Sequence, residues 1–373
     1  APVRIGDTLD VQVTVTEREE TKRRLKLACT CVNQDGVTVI RGEAQVIAPT
    51  ESVSRPRSTL PEVHLSASND GPRRLLAEAR PLGPIRMAVV HPCDALSLSA
   101  ALDAQAAGLI TPILVAPRTR LQAVAAEAGL SLDGLLIEDV PHSHAAADRA
   151  VELVRQGQAE ALMKGSLHTD ELMAAVVSAE HGLRTKRRIS HCFLMQTPAY
   201  PRPFIITDAA INIAPGLDAK ADIVRNAIEL AHAIGVAQPR VAILAAVETV
   251  NPAMPATLDA AALCKMADRG QISGALLDGP LAFDNAVSAA AAHIKGIQSE
   301  VAGRADVLVV PDLESGNMLA KQLEYLGGAA SAGIVLGARA PIVLTSRADS
   351  RESRISSCAI AVLLAHRYRS TPP

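Results

Sequence analysis

The stretch FIITDAAINIAPGLDAKADIVRNAIELAHAI, residues 204–234, contains three successive parts of one structural unit. Its first four residues, Phe204–Thr207, are apolar or β-branched and predict a short buried strand. Residues 208–215 include Asp, Asn and Pro, which favour turns. Residues 218–234 contain five Ala and no Gly or Pro, and this composition favours a helix. The stretch therefore predicts a strand, a loop and a helix in that order.

The same succession recurs from about residue 84 to the end of the chain. The apolar runs are continuous, as expected where helices cover both faces of a sheet. They are Ile85–Val90, Pro112–Ala116, Ala161–Met163, Phe204–Thr207, Val241–Ala246, Ile272–Leu277, Val307–Val310 and Ile342–Thr345. Segments of helix-forming composition separate them, at residues 94–107, 118–128, 169–179, 218–234, 257–269, 315–326 and 351–367. This alternation predicts an α/β fold with mostly parallel sheets.

The length of this region suggests two lobes. About 290 residues is long for a single sheet. We therefore expect two α/β lobes with a central cleft, the first formed by residues 81–202 and 338–373 and the second by residues 203–337. Ligands of such folds bind beyond the carboxyl ends of strands. The polar residues directly after each apolar run are therefore the candidate site residues.

Residues 1–50 follow a different pattern. Residues 9–17, 24–32 and 37–47 alternate apolar and polar side chains, which predicts a short antiparallel β segment. Three strands are few for an independent core. Residues 51–80, rich in Pro, Ser and Arg, are predicted to be a linker.

Composition excludes several classes of partner. The 373 residues carry 37 basic and 39 acidic side chains and only 2% aromatics, so neither a basic surface nor base-stacking platforms for nucleic acid are expected. There is no apolar run of about 18 residues to span a membrane and no visible signal peptide. The six cysteines lack metal-ligand spacing, so no metal is expected. These features predict a cytoplasmic enzyme acting on small molecules.

Two of the segments after apolar runs carry groups suited to binding a substrate. Lys164 and Gly165 precede a helix that starts near Thr169, and the glycine lets the backbone and its N–H groups approach an anion. Asp208 and Asn212 directly follow the strand at Phe204–Thr207. The alternatives are an ordinary capped helix in the first case and a turn in the second.

Further polar residues follow two other runs. They are Asp278, Glu314, Ser315 and Asn317. Asp278 with its neighbouring glycine could form only a turn, and Ser315 could only cap a helix. The repetition of such residues at what we expect to be one edge of the sheet favours a substrate-binding site.

The last apolar run is followed by the strongest candidates for catalysis. Arg347 can hold a phosphate or carbonyl oxygen through its planar fork, and Ser346 adds a hydroxyl donor. Asp349 and Glu352 are the nearest carboxylates that could serve as a base. An ordinary helix N-terminus would explain the acids but not Arg347. Together the candidates predict a cleft for a phosphorylated or carboxylated small substrate.

From about residue 84 to 368 the sequence resembles the phosphate acetyl/butyryltransferase family, in its phosphate butyryltransferase-like branch. The stretches that carry the resemblance are Lys164–Thr169, Thr207–Asn212 with Pro215, Glu248–Pro255, Gly274–Ser288, Lys295-Gly296, Ala305–Leu323 and Pro341–Ser350. The resemblance implies a two-lobed fold similar to isocitrate and isopropylmalate dehydrogenases, and a homodimer or higher homo-oligomer. It also implies exchange of a short acyl group, acetyl to butyryl, between CoA and phosphate. CoA or acyl-CoA is then a substrate, and no cofactor is tightly bound.

The resemblance also implies roles for individual residues. In the family, the CoA thiol attacks the acyl phosphate directly within a ternary complex. Ser346 and Arg347 match the serine–arginine pair that contacts phosphate and the reacting carbonyl. The acetyltransferase branch has an aspartate base six residues after that arginine, where this sequence has Ser353. The base is therefore unassigned: Asp349 or Glu352 could replace it, or it comes from elsewhere.

Residues 1–50 resemble the C-terminal strands of a MaoC-like hot-dog hydratase domain, as in bifunctional enoyl-CoA hydratase/phosphate acetyltransferase. The catalytic Asp and His of such domains lie upstream of these strands, and the sequence begins at Ala1. We therefore expect no hydratase activity from it.

Two other functions stay open at this point. A nicotinamide-dependent oxidative decarboxylase of the same fold needs clustered aspartates for a divalent metal, and Asp278 and Asp284 are too few. A non-catalytic acyl-CoA-binding module is the second alternative, and the departure at Ser353 is its best support.

Overall fold

The structure is a computed structural model that describes residues 2–3, 6–49, 51, 71–344 and 349–373. The chain divides into two compact units, Ala1–Leu65 and Ser66–Pro373. The predicted catalytic residues Ser346 and Arg347 lie outside the described residues. Within the described part of the chain, no helix is long and apolar enough to cross a membrane.

The first unit contains a three-stranded antiparallel sheet. Its strands β1 (Leu9–Glu19), β2 (Arg24–Asn33) and β3 (Thr38–Ile47) pair in chain order, which confirms the predicted antiparallel segment. The apolar side chains of β1 are exposed, with 60% exposure for Val11 and 55% for Val13. The apolar face that the alternation predicts is therefore present but not covered by the residues that the structure describes.

The second unit contains one large, mostly parallel sheet with helices around it. The strands are β4 (Ile85–Val90), β5 (Ile110–Ala116), β6 (Leu136–Asp139), β7 (Ala161–Lys164), β8 (Ser190–Gln196), β9 (Phe204–Thr207), β10 (Arg240–Leu244), β11 (Leu276–Leu281), β12 (Val307–Val309), β13 (Ala330–Leu336) and β14 (Ile342–Val343). The sheet order is β11-β10-β12-β9-β8-β13-β14-β7-β4-β5-β6. This confirms the α/β class.

The helices of the second unit mostly connect one strand to the next. They are α1 (Gly71–Ala79), α2 (Ala95–Ala106), α3 (Arg118–Ala128), α4 (Ser143–Arg155), α5 (Thr169–Val176), α6 (Leu217–Ala233), α7 (Pro255–Asp268), α8 (Phe283–Val287), α9 (Ala289–Ile294), α10 (Leu313–Tyr325) and α11 (Arg351–Ser370), with one 3-10 turn at Arg80–Leu82. Helix α1 lies inside the range predicted to be a linker. Its residues Leu75 and Ala79 are buried, and the helix packs against α11.

Strand β4 shows why the sequence predicts these strands. Met87 and Val89 belong to one buried apolar cluster, whereas Ala88 and Val90 belong to another. Side chains alternate between the two faces of a strand, so both faces of β4 are covered. A strand buried on both faces needs a continuous apolar run, which is the pattern seen in the sequence.

The sheet has two halves of opposite strand direction. Strands β9 and β8, β8 and β13, and β13 and β14 all pair antiparallel. Because of these three reversals, β9, β10 and β12 run opposite to β14, β7 and β4. Within each of these two groups the strands are parallel. The strands of the two lobes that we expected from the length of this region are thus halves of one continuous sheet.

The expectation that all the polar segments share one edge is therefore wrong. In a sheet, the carboxyl ends of oppositely directed strands lie at opposite ends of the strand axis. Asp208 follows β9 at one edge, whereas Gly165 follows β7 at the other. Sequence order alone does not reveal this, because the reversal depends on β8 and β13, which pair in the middle of the sheet.

Asp278 differs from expectation as well. It lies within β11 and not after a strand, because the strand covers Leu276–Leu281 and the predicted run was Ile272–Leu277. β11 is the last strand at one side of the sheet. A proline such as Pro280 is tolerated in an edge strand, because one side of that strand has no neighbouring strand that would need an N–H donor. The Asp278-Gly279 pair that suggested a turn is thus part of an edge strand.

Candidate active site

A cavity of about 920 Å³ lies between three segments of the second unit. Its walls are one side of α5, the segment before β8, and the segment that joins β9 to α6. The lining residues are Thr169, Asp170, Met173, Val177, Arg184, Thr185, Lys186, Arg187, Arg188, Ile189, Ala210, Ile211, Asn212, Asp218, Ala219 and Asp222. Ligand pockets of enzymes commonly measure about 300–1,000 Å³. Of the predicted binding residues, this cavity brings together Thr169 and Asn212.

Asp208 organises the loop after β9. Its side chain is buried, and its two oxygens accept hydrogen bonds from the main-chain N–H groups of Ala210, Ile211 and Asn212 at 3.0–3.1 Å. The Asn212 side-chain Nδ2 donates a further hydrogen bond to Asp208 at 2.6 Å. These four bonds are the turn chemistry considered as the alternative for Asp208. Asp208 therefore shapes the cavity wall from behind.

Asn212 links this loop to the segment before β8. It is buried, and its Nδ2 also donates to the carbonyl oxygen of Ile189 at 2.9 Å. Its Oδ1 accepts a hydrogen bond from Arg188 Nε at 2.5 Å. Because both ends of the Asn212 amide are used, its orientation is determined. The guanidinium of Arg188 is thereby held in the cavity wall.

Arg188 was not among the residues predicted from the sequence. The available signal is the basic run Arg184-Thr185-Lys186-Arg187-Arg188, which lies before a strand and not after one. In this run, Arg187 pairs with the half-buried carboxylate of Glu229 at 2.5 Å. Arg184 and Lys186 are exposed and lie in the cavity lining. The loop therefore gives the cavity a basic wall.

Gly165 permits a close contact between the ends of β4 and β7. A Cβ atom at this position would lie 2.4 Å from the carbonyl oxygen of Val90 and 2.7 Å from that of His91. The next residue, Ser166, donates through both its N–H and its Oγ to the His91 carbonyl at 2.9 Å. Lys164 Nζ donates to the Gly165 carbonyl at 3.3 Å. This loop is thus held tightly, and it leads into α5.

Helix α5 begins at Thr169, and His168 occupies its N-cap position without a side-chain cap hydrogen bond. Neither Thr169 nor Asp170 is the capping residue that the alternative interpretation required. Both residues line the cavity. Thr169 and Asp170 are therefore part of the wall that a ligand in the cavity would contact.

The predicted residues of α10 make contacts within the protein. Asp312 is the N-cap residue, and its Oδ1 accepts hydrogen bonds from Ser315 N at 2.8 Å and Ser315 Oγ at 2.5 Å. The cap is thus Asp312 and not Ser315. Asn317 Nδ2 donates to the Ala209 carbonyl at 3.1 Å and so ties α10 to the loop after β9. Glu314 is exposed in the first turn of the helix.

Both predicted catalytic carboxylates are described, Asp349 just before α11 and Glu352 in its first turn. The main-chain oxygen of Asp349 accepts a hydrogen bond from Arg354 Nη1 at 2.5 Å. Glu352 lies exposed in the first turn of the helix. Ser353 is buried, and its Oγ donates to the Ser331 carbonyl at 2.6 Å. Ser346 and Arg347, which precede this helix, lie outside the described residues.

Asp278 is not brought to the cavity. Its carboxylate accepts a hydrogen bond from the N–H of its neighbour Gly279 at 2.8 Å within the edge strand β11. Burial, assisted by the negative charge of Asp278, raises the pKa of the Cys264 thiol to about 12. Asp278 therefore acts on its own strand and its immediate surroundings.

Burial also shifts the ionisation of groups beside the loop after β9. Burial lowers the pKa of His191 to about 4, and the nearby carboxylate of Asp208 acts in the opposite direction. Burial raises the pKa of the Cys192 thiol to about 12. Both side chains are therefore neutral at pH 7, and neither offers a positive charge to Asp208.

A cavity of this size at the junction of two α/β halves, with an oriented guanidinium in its wall, is typical of an enzyme that binds an anionic small molecule. Among the residues that the structure describes, no group of three or more His, Cys, Asp or Glu side chains is arranged to hold a metal ion. Residues 142–362 match the family model described as "Phosphate acetyl/butaryl transferase". The chain belongs to this family and is an acyltransferase.

Individual relatives agree with the family match. A phosphate acetyltransferase of Rhizobium meliloti is 61% identical over 297 residues, which cover 80% of this chain and 94% of that protein. A phosphate butyryltransferase of Clostridium acetobutylicum is 44% identical over 280 residues, or 75% and 93% of the two chains. A solved structure, a branched-chain phosphotransacylase from Enterococcus faecalis V583, has a TM-score of 0.67 and 32% identity, and it covers 76% of this chain and 99% of that one. The resemblance of residues 84–368 to the phosphate acetyl/butyryltransferase family is confirmed.

Proposed function

We propose that this chain exchanges a short acyl group between coenzyme A and inorganic phosphate: acyl-CoA + phosphate ⇌ acyl phosphate + CoA. The observation that carries the proposal is the 61% identity to a phosphate acetyltransferase over 94% of that protein's length. Other relatives are named phosphate butyryltransferases. The proposal therefore covers acyl groups from acetyl to butyryl.

In the direction of acyl-CoA synthesis, the CoA sulfur attacks the carbonyl carbon of the acyl phosphate within a ternary complex. The thiol gives its proton to a base, the C–S bond forms, and the C–O bond to phosphate breaks, so that inorganic phosphate leaves. Negative charge develops on the carbonyl oxygen between these events, and aligned hydrogen-bond donors lower the barrier by stabilising it. Following the family resemblance, we assign this role to Ser346 and Arg347.

A direct transfer agrees with the state of the chain's own thiols. Burial raises the pKa of Cys93, and it raises the pKa of Cys192, Cys264 and Cys358 to about 12. Only a thiolate is an effective nucleophile. These cysteines are therefore poorly suited to carry an acyl group, which supports attack by the CoA thiol itself.

The CoA thiol needs a base in this mechanism. A free thiol has a pKa of about 8.5 and is mostly protonated at neutral pH, so a nearby carboxylate speeds the attack. We propose Asp349 or Glu352 for this role. The hydrogen bond from Arg354 to the main chain of Asp349 fixes the position of Asp349, whereas Glu352 is exposed at the start of α11.

Substrate binding is proposed for residues on both sides of the sheet. Lys164 is the last residue of β7, and Gly165 and Thr169 follow it. Asp208, Asn212, Ser315 and Asn317 surround the end of β9. The hydrogen bonds of Asp208 and Ser315 favour a role in shaping the site over direct contact with substrate. Glu314 and Asp278 have weaker support, because Glu314 is exposed and Asp278 bonds within its own strand.

We further propose a two-lobed subunit similar to isocitrate and isopropylmalate dehydrogenases, which forms a homodimer in the cytoplasm. Two apolar clusters support the lobes, one around Leu162 and one around Leu308, while a third and larger cluster contains residues of both halves, such as Met163 and Val241. Ile294 and Met318, with 83% and 66% exposure, offer apolar surface for a second copy. No tightly bound cofactor is part of this proposal.

The first unit is a separate proposal. Its resemblance to the C-terminal strands of a MaoC-like domain is supported by the exposed apolar side chains of Val11 and Val13, since such a face is normally covered in a folded domain. A covering segment would bury these side chains. Hydrogen exchange of the β1 amides in a form of the chain that includes such a segment would test this resemblance, and we expect those amides to be protected.

The experiment on the main proposal mixes acetyl-, propionyl- or butyryl-CoA with phosphate and follows the release of free thiol. We expect release that depends on phosphate and does not occur with sulfate. Failure with all three thioesters would remove the proposal. Arg347→Ala is expected to lower kcat by about a hundredfold, the size typical for a lost oxyanion donor. Near-normal turnover by this variant would remove the role assigned to Arg347.

The same preparation distinguishes the two alternatives. NADH formation from a 2-hydroxy acid in the presence of Mn²⁺ would favour the oxidative decarboxylase. Binding of CoA without any thiol release from its thioesters would favour the non-catalytic module. Neither alternative predicts phosphate-dependent thiol release, so that assay separates the proposed function from both, and NADH formation and CoA binding then distinguish the two alternatives.

A further inference from the structure

We propose that Arg188 binds a phosphoryl group of a substrate in the 920 Å³ cavity, and that Asp208 and Asn212 are positioning residues for its guanidinium. This inference rests on the proposed function for the identity of the substrates. The contacts of Arg188 with the protein carry it, because they form a continuous chain from a buried carboxylate to an exposed cation.

The first step is the fixed main chain of Arg188. Its N–H donates to Asp222 Oδ2 at 2.9 Å, and its carbonyl accepts from Asn226 Nδ2 at 2.9 Å. On the other side, a Cβ atom at Gly337 would lie 2.4 Å from the same carbonyl oxygen. The peptide of Arg188 is therefore held by two helix α6 side chains and by close packing at the end of β13. Its side chain starts from a defined point.

The second step is the orientation of the guanidinium. Arg188 Nε donates to Asn212 Oδ1 at 2.5 Å, and Asn212 Nδ2 donates to Asp208 Oδ2 at 2.6 Å. Asp208 and Asn212 are buried, with 3% and 5% exposure, whereas the Arg188 side chain is exposed and lines the cavity. Because Asn212 holds Nε, the orientation of the planar Arg188 guanidinium is set by the protein and not by solvent.

The third step is the free donor capacity of Arg188. Its two terminal nitrogens have no hydrogen-bond partner among the residues that the structure describes, and no carboxylate there lies within ion-pair distance. Its neighbour Arg187 differs, because it is paired with Glu229 at 2.5 Å. A guanidinium whose Nη groups are both available can donate two parallel hydrogen bonds to a phosphoryl group. This arrangement therefore favours an anionic ligand over a neutral one.

The charged residues around the cavity indicate which wall an anion would bind. Arg184 and Lys186 lie on the same wall as Arg188, whereas Asp170 and Asp218 lie on the α5 and α6 walls. Like charges repel and unlike charges attract over these short distances. An anion in this cavity is therefore drawn to the segment before β8. Within that segment, Arg188 is the cation with an orienting hydrogen bond to a buried side chain.

The shared chemistry of the ligand is a phosphoryl group, and two substrates of the proposed reaction carry one. Inorganic phosphate or the acyl phosphate, a mixed anhydride, is the first source, and the phosphates of CoA are the second. The kinetic constants separate them, since KM for phosphate and KM for the thioester are measured independently. A thioester of 3′-dephospho-CoA further separates the 3′-phosphate of CoA from its diphosphate.

The test uses the full chain with Arg188→Gln, and Arg304→Gln as the matched control. Arg304 is exposed and has no side-chain hydrogen bond among the described residues. We expect Arg188→Gln to raise one of the two KM values by about ten- to hundredfold, the loss expected for one hydrogen bond to a charged group. A rise in KM for phosphate assigns inorganic phosphate, and a rise in KM for acetyl-CoA assigns the phosphates of CoA. Arg304→Gln should match the wild type in both.

Two further variants test the positioning roles. Arg188→Lys keeps the charge without the Nε–Asn212 bond and should show a smaller rise in the same KM. Asn212→Ala should raise that KM in the wild type but add little in the Arg188→Gln background, because paired residues act non-additively. Additive effects would assign Asn212 a structural role alone and would overturn the positioning part of the proposal. Thermal melting of each variant shows whether it is folded.

The outcomes separate this inference from the proposed function. If the wild type releases thiol and both KM values of folded Arg188→Gln and Arg188→Lys stay within twofold of it, the inference is wrong and the function stands. If the wild type releases no thiol, the function fails first. Calorimetric titration of the wild type and Arg188→Gln with inorganic phosphate, and separately with CoA, then still tests the anion site. Equal binding of both ligands by the two proteins would overturn it.

Discussion

Ser353 Oγ lies 2.6 Å from the carbonyl oxygen of Ser331 and donates a hydrogen bond to it. The contact joins the first turn of α11 to β13 in the interior of the protein. Ser353 also completes the helix start, because its N–H donates to Ser350 Oγ at 3.0 Å. The position at which the resemblance led us to look for an aspartate base is thus used to anchor a helix.

We expect Ser353→Ala to affect stability and not catalysis. The substitution leaves a buried carbonyl without this donor, which typically costs about 1–3 kcal/mol of the free energy of unfolding. Urea unfolding measures that loss, and steady-state kinetics should show kcat and both KM values within twofold of the wild type. A large fall in kcat with unchanged stability would instead give Ser353 a part in the reaction.

Two carboxylates are left as candidates for the base, and their variants should behave differently. We expect either Asp349→Asn or Glu352→Gln, but not both, to lower kcat by about 10²–10⁴-fold, since general base catalysis contributes that much. The rate of the true base variant should also lose its dependence on pH on the acidic side of the profile. The other variant serves as the matched control. Wild-type rates for both variants would show that the base is neither Asp349 nor Glu352.

The predictability of the fold follows from how each strand is buried. β9 was predicted with its observed bounds, Phe204–Thr207, because a strand covered on both faces reads as an apolar run. β8 was missed because it begins with Ser190 and His191, which are buried but polar. Their burial depends on distant partners, such as Asn226 Nδ2, which donates to Ser190 Oγ at 2.8 Å. No local pattern shows such a partner.

The candidate site was predictable only in part, for the same reason. Thr169 and Asn212 follow strands and were found by that rule, and both line the cavity. Arg188 precedes a strand, and its orientation comes from Asn212, which lies 24 positions further along the chain. The direction of β8, which brings these segments together, depends on pairing with β9 and β13. Contacts of this range are a property of the folded sheet and not of any one stretch.

Gly165 should tolerate no side chain. Gly165→Ala would place a methyl group 2.4 Å from the Val90 carbonyl oxygen, so the loop between β7 and α5 must move. We expect a loss of about 1–3 kcal/mol in the free energy of unfolding, as for other overpacked sites, together with a higher KM for a substrate. Gly216→Ala is the matched control, because a methyl group at that position would meet no other atom within 4 Å. Equal behaviour of the two variants would show that the β4–β7 contact is not tight.

The buried imidazole of His191 should make the protein less stable in mild acid. Burial lowers the pKa of His191 to about 4 in the folded state, against an ordinary value of 6.5. Between these values the unfolded chain binds a proton that the folded chain does not, so this contribution to stability is complete above pH 6.5 and is lost as the pH falls toward 4. The full loss is roughly 3 kcal/mol. Urea unfolding of the wild type and His191→Asn across this window measures it. We expect the free energy of unfolding of the wild type to fall more steeply, and parallel curves would show that His191 is not the group responsible.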